Sequence, residues 1–513
     1  MGPKVNYCQF SFFMRNFLTL IIMAISLTAM GRDFTFGGLV YTVISETQKT
    51  VRTKAGAGIT PGNNVSGVLS IPETVNDGSN DYIVTEIGKF GFKQAKITGE
   101  LVIPNTITTI GNSAFSGCSG LTGSLIIPNS VISIGEYAFN DCKGFDGTLE
   151  LPESLAEIGW AAFSGCTGLT GSLVIPNSVK VIGEYAFSKC RGFNGTLKLS
   201  ESIIAIPMSA FEKCEGLTGE LNIPKAVISI GEKAFSDCKG FIGSLIIPDN
   251  VENLGCEAFR NCSGFDGELV LSSLLSSIDF GTFCNCSELK SIQFPKSLKK
   301  ITGYENLKGA FEDCTSLTGS LVIPDCVETI GVRAFSGCSG IEDIIIGNFV
   351  TLIEQQSFQN IGNLNLLSLP NSVENIGGSA FYATNIKVIN SKATTPPIVS
   401  NSVTFSDKTY KEAILTVPEE SLDLYRTADV WKNFAQYKTS RINDIANDGI
   451  FNITFNADGI TIQKVADQTV SIYDIEGRLM DCIISNDDSV SRVLKPGIYI
   501  VKIGKFITKI MIK

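Results

Sequence analysis

The chain has 513 residues, too many for one compact core, so several domains or a repeat are expected. Its 41 basic and 51 acidic residues give a net charge of -10, which argues against a nucleic acid or an anionic membrane surface as partner. Histidine is absent, which excludes Ser-His-Asp and Cys-His catalysis and zinc sites with histidine ligands.

The first element in chain order is an export signal. Residues 14–16 supply a basic start, residues 17–30 are almost wholly apolar, and Ala29 and Gly31 form an A-x-G pattern of small residues. This layout predicts a secretory signal peptide over residues 1–31, with Met14 as an alternative start. A signal anchor or a buried helix is the alternative, although the run is short for a membrane span. We expect an exported protein, secreted or on the cell surface.

A repeat follows the signal. A phenylalanine, usually preceded by alanine, returns mostly every 24 residues, so that about thirteen units of 23–24 residues cover residues 80–390. A fixed period of this size predicts a solenoid. The repeated residues are Phe92, Phe115, Phe139, Phe163, Phe187, Phe211, Phe235, Phe259, Phe283, Phe311, Phe335, Phe358 and Phe381.

One unit, residues 121–144, shows how a coil is built. Leu125 and Ile127 are separated by one residue, as in a short strand, and Pro128 ends that strand because proline cannot donate to a ladder. An apolar stripe follows on a short helical or irregular arc, in which we expect Gly135 to allow a tight turn. One unit cannot bury this stripe alone, so the coils must stack with equivalent apolar residues of neighbouring coils packed on one another.

The string I-P-x-S-V-x-x-I-G-x-x-A-F-x-x-C at residues 127–142 and 175–190 resembles the BspA-like leucine-rich-repeat surface proteins. Leu289, Ile292 and Phe294 match the strand part of a leucine-rich repeat, L-x-x-L-x-L. The resemblance implies an α/β repeat that forms a right-handed leucine-rich-repeat solenoid with a parallel sheet on one face. It also implies adhesion to extracellular-matrix proteins and coaggregation between cells.

Cysteines form a second column, three residues after the repeated phenylalanine. Coils spaced about 5 Å apart would permit disulfides between neighbours in an exported protein. A column of free, buried thiols is the favoured interpretation. We expect no metal site, because no C-x-x-C pair is present, and no cofactor. The column consists of Cys118, Cys142, Cys166, Cys190, Cys214, Cys238, Cys262, Cys286, Cys314 and Cys338.

Outward positions on the predicted strands form two columns, one of Ser, Thr and Glu and one rich in Val and Ile. They are a candidate binding surface of many equivalent weak contacts, and ordinary strand propensity is the alternative. The candidates are Ser124, Ile126, Thr148, Glu150, Ser172, Val174, Thr196, Lys198, Glu220, Asn222, Ser244 and Ile246. Trp160, which replaces a glutamate of neighbouring coils, and Tyr304, in an inserted loop, are further candidate contacts.

The ends of the repeat differ from its middle. Residues 32–79 predict an N-terminal β cap, and residues 391–440 predict a C-terminal cap with Trp431 and Phe434 in its core. Residues 441–513 predict a small all-β sandwich. Its strings SIYDIEGRLM and LKPGIYIVKIGKFITKIMIK resemble the sorting domain of type IX (Por) secretion, and a plain β-sandwich is the alternative.

Together these features predict an exported, adhesin-like protein that recognises host or bacterial proteins and has no catalytic residues. A glycan-binding module and a structural spacer of the cell surface are the alternatives. An enzyme is not expected, because columns of Asp and Glu follow from repetition itself.

Overall fold

In a computed structural model, the described residues are 31–58, 66–304, 307–440 and, nearer the C-terminus, 452–456, 459–463, 468–474, 479–485, 489–495, 497–503 and 506–512. The predicted signal peptide lies outside them apart from Gly31. The chain divides into two compact units, residues 1–167 and 168–513, which we call unit 1 and unit 2.

Unit 1 begins with antiparallel strands and continues with parallel ladders. The strands are β1 (Asp33–Phe36), β2 (Leu39–Ser45), β3 (Thr50–Thr53), β4 (Leu69–Ser70), β5 (Thr74–Asn76), β6 (Asp81–Ile87), β7 (Leu101–Val102), β8 (Thr109–Ile110), β9 (Leu125–Ile126), β10 (Ser133–Ile134), β11 (Leu149–Glu150) and β12 (Glu157–Ile158). β1, β2 and β3 pair antiparallel in chain order, and β3 pairs in parallel with β6. Parallel pairing then joins β6, β8, β10 and β12, while β4 with β7 and β9 with β11 form two separate two-stranded ladders.

Unit 2 continues the same alternation of two parallel strands per coil, except that residues 220–224 form no strand. The strands of its repeat are β13 (Leu173–Val174), β14 (Val181–Ile182), β15 (Leu197–Lys198), β16 (Ala205–Ile206), β17 (Ser229–Ile230), β18 (Leu245–Ile246), β19 (Asn253–Leu254), β20 (Glu268–Val270), β21 (Ser277–Ile278), β22 (Ser291–Gln293), β23 (Lys300–Ile301), β24 (Gly319–Val322), β25 (Thr329–Ile330), β26 (Ile341–Ile345), β27 (Leu352–Ile353), β28 (Gly362–Leu369), β29 (Asn375–Ile376), β30 (Thr384–Ser391), β31 (Ile398–Val399), β32 (Ile414–Pro418) and β33 (Gln436–Ser440). Two short helices, α1 (Asp407–Glu412) and α2 (Leu422–Thr427), lie near its end.

The predicted parallel solenoid is therefore confirmed, with one difference in detail. Each coil contributes to two separate ladders, such as β9 with β11 and β10 with β8 and β12. The second strand lies inside the arc that the sequence analysis predicted as helical or irregular. A strand of two residues is too short to show the alternation that identifies strands in a sequence.

The repeated phenylalanines form the core of each unit. In unit 1 the rings of Phe92, Phe115, Phe139 and Phe163 stack with centroids 5.0, 5.3 and 5.4 Å apart and planes within 8°. In unit 2 the stack runs from Phe187 to Phe405 at spacings of 5.2 to 5.7 Å. Stacking of identical rings at this spacing is an attractive aromatic geometry when the rings are offset.

The repeat glycine is required because a side chain would not fit between neighbouring coils, and not because of its backbone angles. A Cβ on Gly135 would lie 2.7 Å from the Asn112 backbone nitrogen, so glycine is needed where neighbouring coils approach closely. The left-handed turn falls two residues later, on Tyr137 with φ 56°. The expected role of Gly135 in the turn was therefore wrong, because a sequence does not show how close the preceding coil comes.

The cysteine column is free thiol throughout its described length. Each thiol with a resolved contact donates to the carbonyl oxygen of a phenylalanine in the preceding coil, as from Cys142 to Phe115 at 3.1 Å and from Cys238 to Phe211 at 3.1 Å. Thr384 holds the equivalent position and its hydroxyl donates to the Phe358 carbonyl at 3.0 Å. The thiol is a second donor to each carbonyl, which already accepts a backbone amide of its own coil, as from the Cys118 amide to the Phe115 carbonyl at 3.0 Å.

Thiol labelling should distinguish the buried cysteine column from Cys256, which lies outside the column. Burial raises the pKa of the Cys262 thiol well above its usual value, and burial raises that of half-exposed Cys256 to about 11. Because the thiolate is the reactive form, Cys256 should be alkylated in the native protein while Cys262 reacts only on unfolding. Peptide-resolved mass spectrometry after iodoacetamide labelling measures this. Column cysteines that stay unlabelled in denaturant until a reductant is added would instead reveal disulfides.

The C-terminal part of the chain is all-β, as predicted. One antiparallel sheet contains β34 (Asn452–Asn456), β35 (Gly459–Gln463) and β38 (Ser489–Val493). The other contains β36 (Gln468–Asp474), β37 (Leu479–Ser485), β39 (Gly497–Ile503) and β40 (Phe506–Ile512).

Candidate functional site

The predicted candidates of unit 1 lie side by side on the outer face of their strands. Ile126 is 53% exposed and is in register with Glu150, which is also exposed, while the leucines beside them are buried. The Thr148 amide donates to the Ser124 hydroxyl at 3.0 Å, and the two hydroxyls lie 3.3 Å apart. The hydroxyl groups of Ser124 and Thr148 therefore join neighbouring coils. The column that contains Ile126 and Glu150 is the more available for a ligand.

The strand-face candidates of unit 2 are all exposed. Ser172 repeats the bond of unit 1, since it accepts from the Thr196 amide at 3.0 Å. The exposed side chains are Ser172, Val174, Thr196, Lys198, Glu220, Asn222, Ser244 and Ile246.

One coil of this face departs from the repeat. β15 pairs only with β13, and β18 pairs only with β20, so the ladder stops at Lys198 and resumes at Leu245. The intervening segment, residues 220–224, forms no strand, although isolated bridges at Thr196 with Thr218 and at Gly219 with Phe241 hold the coils together just before it. The other ladder runs through the same coils without a break, from β16 to β17 to β19.

Two hollows flank the interrupted coil, and we call them together the strand-face groove. The first measures about 390 Å³ and the second about 570 Å³, and both are lined by Glu220 and Asn222. Six of the predicted candidates meet here, which are Thr196, Lys198, Glu220, Asn222, Ser244 and Ile246. The groove also contains charges of both signs that the sequence analysis did not select, which are Lys225, Glu201 and Asp249.

The interrupted coil also lacks a serine that several other coils have. In ordinary coils the serine after the proline turn donates to the preceding coil, as from Ser154 to the Val131 carbonyl at 2.8 Å and from Ser297 to the Leu275 carbonyl at 2.6 Å. The interrupted coil has Ala226 at this position and cannot form that bond.

Neither of the two aromatic candidates lines the strand-face groove. Trp160 is half-buried, and its ring meets that of Tyr137 edge-on at 4.4 Å. Tyr304 is 56% exposed and lies 5.5 Å from the Phe280 ring. Among the described residues, no group of three or more acidic or cysteine side chains is placed to hold a metal ion.

Comparisons with known proteins agree with this architecture. The family model described as BspA type leucine rich repeat region matches residues 85–218, 147–266, 205–306 and 276–410. The crystal structure of a leucine-rich repeat protein from Bacteroides ovatus is similar with a TM-score of 0.55 and 23% identity, and the match covers 80% of this chain and 100% of that one.

Two further solved structures show lower similarity. A leucine rich cell surface protein from Faecalibacterium prausnitzii has a TM-score of 0.38 and 25% identity, over 62% of this chain and 95% of its own. The pneumococcal vaccine antigen PcpA has a TM-score of 0.43 and 19% identity, over 81% of this chain and 98% of its own. No curated protein matches the chain. Within the described residues, no helix has the length and hydrophobicity to span a membrane.

Proposed function

Because this chain belongs to the BspA-type leucine-rich-repeat family, we propose that it is an exported binding protein that recognises other proteins through its strand-face groove. The proposed site of action is the cell surface or the extracellular medium, and the proposed partners are proteins of a host or of other bacteria. No catalytic role is proposed, in keeping with the use of leucine-rich repeats as binding scaffolds.

The coil without a strand, residues 220–224, is the observation that supports a protein partner. β15 and β18 are edge strands of their ladders, and edge strands present backbone groups with which an extended peptide can pair. Ile246 offers an apolar contact that is 56% exposed, and Lys198, Lys225 and Glu220 offer charges for specificity. Outside the groove, the outward residues of the other strands add many weak equivalent contacts.

The export route rests on the two ends of the chain. We propose that residues 1–31 are a signal peptide and that residues 441–513 are a sorting domain of the type IX (Por) kind. Residues 32–79 and 391–440 are proposed as caps of the repeat in residues 80–390. These boundaries rest on the sequence patterns.

A matched pair of substitutions tests the groove. Ile246→Glu introduces a carboxylate into the groove, where its desolvation should cost ~1.4 kcal/mol or more and weaken binding about tenfold. Ile126→Glu makes the same change at the same coil position of unit 1, where the coil keeps its strand β9 paired with β11, and should have little effect. Binding of the purified protein to immobilised fibronectin, fibrinogen and bacterial surface proteins is measured by surface plasmon resonance. Equal loss in both variants would assign binding to the repeated columns instead.

A further inference from the structure

The turns of unit 1 form a second surface, apart from the strands. Four successive coils place one residue each in the same left-handed turn, with φ values of 58, 54, 56 and 49°. The four residues are Phe90, Ser113, Tyr137 and Ala161. Aromatic and small side chains therefore alternate along the turns, and a small residue next to a large one leaves a notch.

The notch over Ser113 is a cleft of about 490 Å³, which we call the turn cleft. Phe90 and Tyr137 line it from two coils apart, roughly 10 Å at the usual spacing of neighbouring strands. Its volume lies in the range of about 300–1,000 Å³ that is typical of small-ligand sites. The other lining residues are mostly polar and include Lys89, Lys93, Asn112, Asn140, Glu136 and Asp141.

The backbone of the turn cleft is already paired between coils. The Ser113 amide donates to the Glu136 carbonyl at 2.7 Å, the Gln94 amide to the Ser116 carbonyl at 2.7 Å, and the Gly117 amide to the Asn140 carbonyl at 2.7 Å. An extended peptide would find no free ladder to join here, unlike in the strand-face groove. Recognition must therefore come from side-chain amides, carboxylates and ammonium groups, together with the aromatic rings.

Both aromatic residues have supporting neighbours. The Trp160 ring meets Tyr137 edge-on at 4.4 Å, which restricts where the tyrosine ring can lie. The ammonium groups of Lys89 and Lys93 lie 5.0 and 5.1 Å from the centroid of the Phe90 ring. Neither lysine forms an ion pair with another described residue, so two cationic groups at this end of the cleft are available to an anion.

We propose that the turn cleft binds an oligosaccharide that carries a carboxylate. A sugar ring has an apolar C–H face that packs on aromatic rings and a rim of hydroxyls that pair with amides and carboxylates, which are the two kinds of group that line the cleft. The sugar ring lies between Phe90 and Tyr137, its hydroxyls pair with Asn112 and Asn140, and its carboxylate pairs with Lys89 and Lys93. This site is independent of the strand-face groove.

Serine substitutions test the aromatic walls without altering the turn, because Ser113 and Ser209 already occupy it with φ values of 54 and 51°. The purified protein is applied to an array of acidic and neutral oligosaccharides, including sialyllactose, hyaluronan tetrasaccharide and chitotetraose. Acidic oligosaccharides should bind, and Phe90→Ser and Tyr137→Ser should each weaken binding at least tenfold. Gln356→Ser, at the same turn position with φ 58°, should bind like the unchanged protein. An array without any bound oligosaccharide, or binding that survives both serine variants, would overturn the proposal.

Two further variants test the role of the lysine charges and the role of Trp160 in positioning the Tyr137 ring. Lys89→Gln with Lys93→Gln should abolish the preference for acidic over neutral oligosaccharides and reduce the dependence of affinity on salt. Trp160→Glu installs the residue that neighbouring coils have at this position, as at Glu136. It should weaken binding less than Tyr137→Ser and leave hydrogen exchange of the coil unchanged. A preference for neutral oligosaccharides in the unchanged protein would refute the assigned role of the lysines.

Discussion

Replacing Phe235 with alanine should lower the free energy of unfolding of the surrounding coils by about 3–5 kcal/mol. The ring is fully buried and stacks on Phe211 at 5.4 Å and on Phe259 at 5.3 Å. Phe241 contacts it edge-on at 6.3 Å. Alanine leaves a cavity that the two neighbouring rings cannot fill, because their own stacking partners hold them in place.

The loss should be local, because each coil of a solenoid contacts only its neighbours. Hydrogen exchange read by mass spectrometry should show lost protection in peptides around residues 205–265 and intact protection near Phe358. Phe349→Ala is the control, since that ring is 65% exposed and its removal should change stability by less than about 0.5 kcal/mol. Loss of protection spread evenly over unit 2 would contradict a nearest-neighbour solenoid.

Replacing Trp431 with alanine should open the far end of the same stack. Trp431 is fully buried, lies 5.7 Å from the Phe405 ring and 5.3 Å from the Tyr425 ring, and donates from its indole N–H to the Pro397 carbonyl at 2.8 Å. The change removes a large core side chain, at a cost of about 3–5 kcal/mol, and leaves a buried carbonyl unpaired. The last ring of the stack then becomes accessible to water.

Hydrogen exchange should here be lost mainly over residues 384–440, with the middle of unit 2 protected. Trp431→Phe retains most of the packing but loses the hydrogen bond, so it should cost about 1–3 kcal/mol. Leu424→Ala, at a residue that is 52% exposed, should have little effect. Unchanged protection at Phe405 in Trp431→Ala would show that Trp431 does not close the stack.

The boundary of the stack illustrates how far a period can be followed in a sequence. Phe405 lies 24 residues after Phe381 and stacks on it at 5.4 Å with planes 2° apart. The repeat predicted from the sequence ended at residue 390, because the segment Thr394-Thr395-Pro396-Pro397 breaks the pattern. A core position can persist after its flanking motif has diverged, since burial selects the side chain and not the motif.

The strand-face groove also combines features that the sequence predicted with a feature that it did not. Alternation in the strands was enough to select Glu220, Asn222, Ser244 and Ile246 as outward residues, and they are exposed. It gave no reason to prefer this coil over any other, because every coil has the same pattern. The preference comes from the missing strand at residues 220–224, and pairing between the backbones of neighbouring coils is not visible in a linear sequence.

The sequence by itself determined the repeat, the phenylalanine and cysteine columns and the family, because a period of 24 residues brings equivalent positions together whatever the details of each turn. Only the tertiary structure decided where the surface departs from that regularity. The strand-face groove and the turn cleft both depend on distances between neighbouring coils, which are set by contacts between residues such as Gly135 and Asn112 that are 23 positions apart.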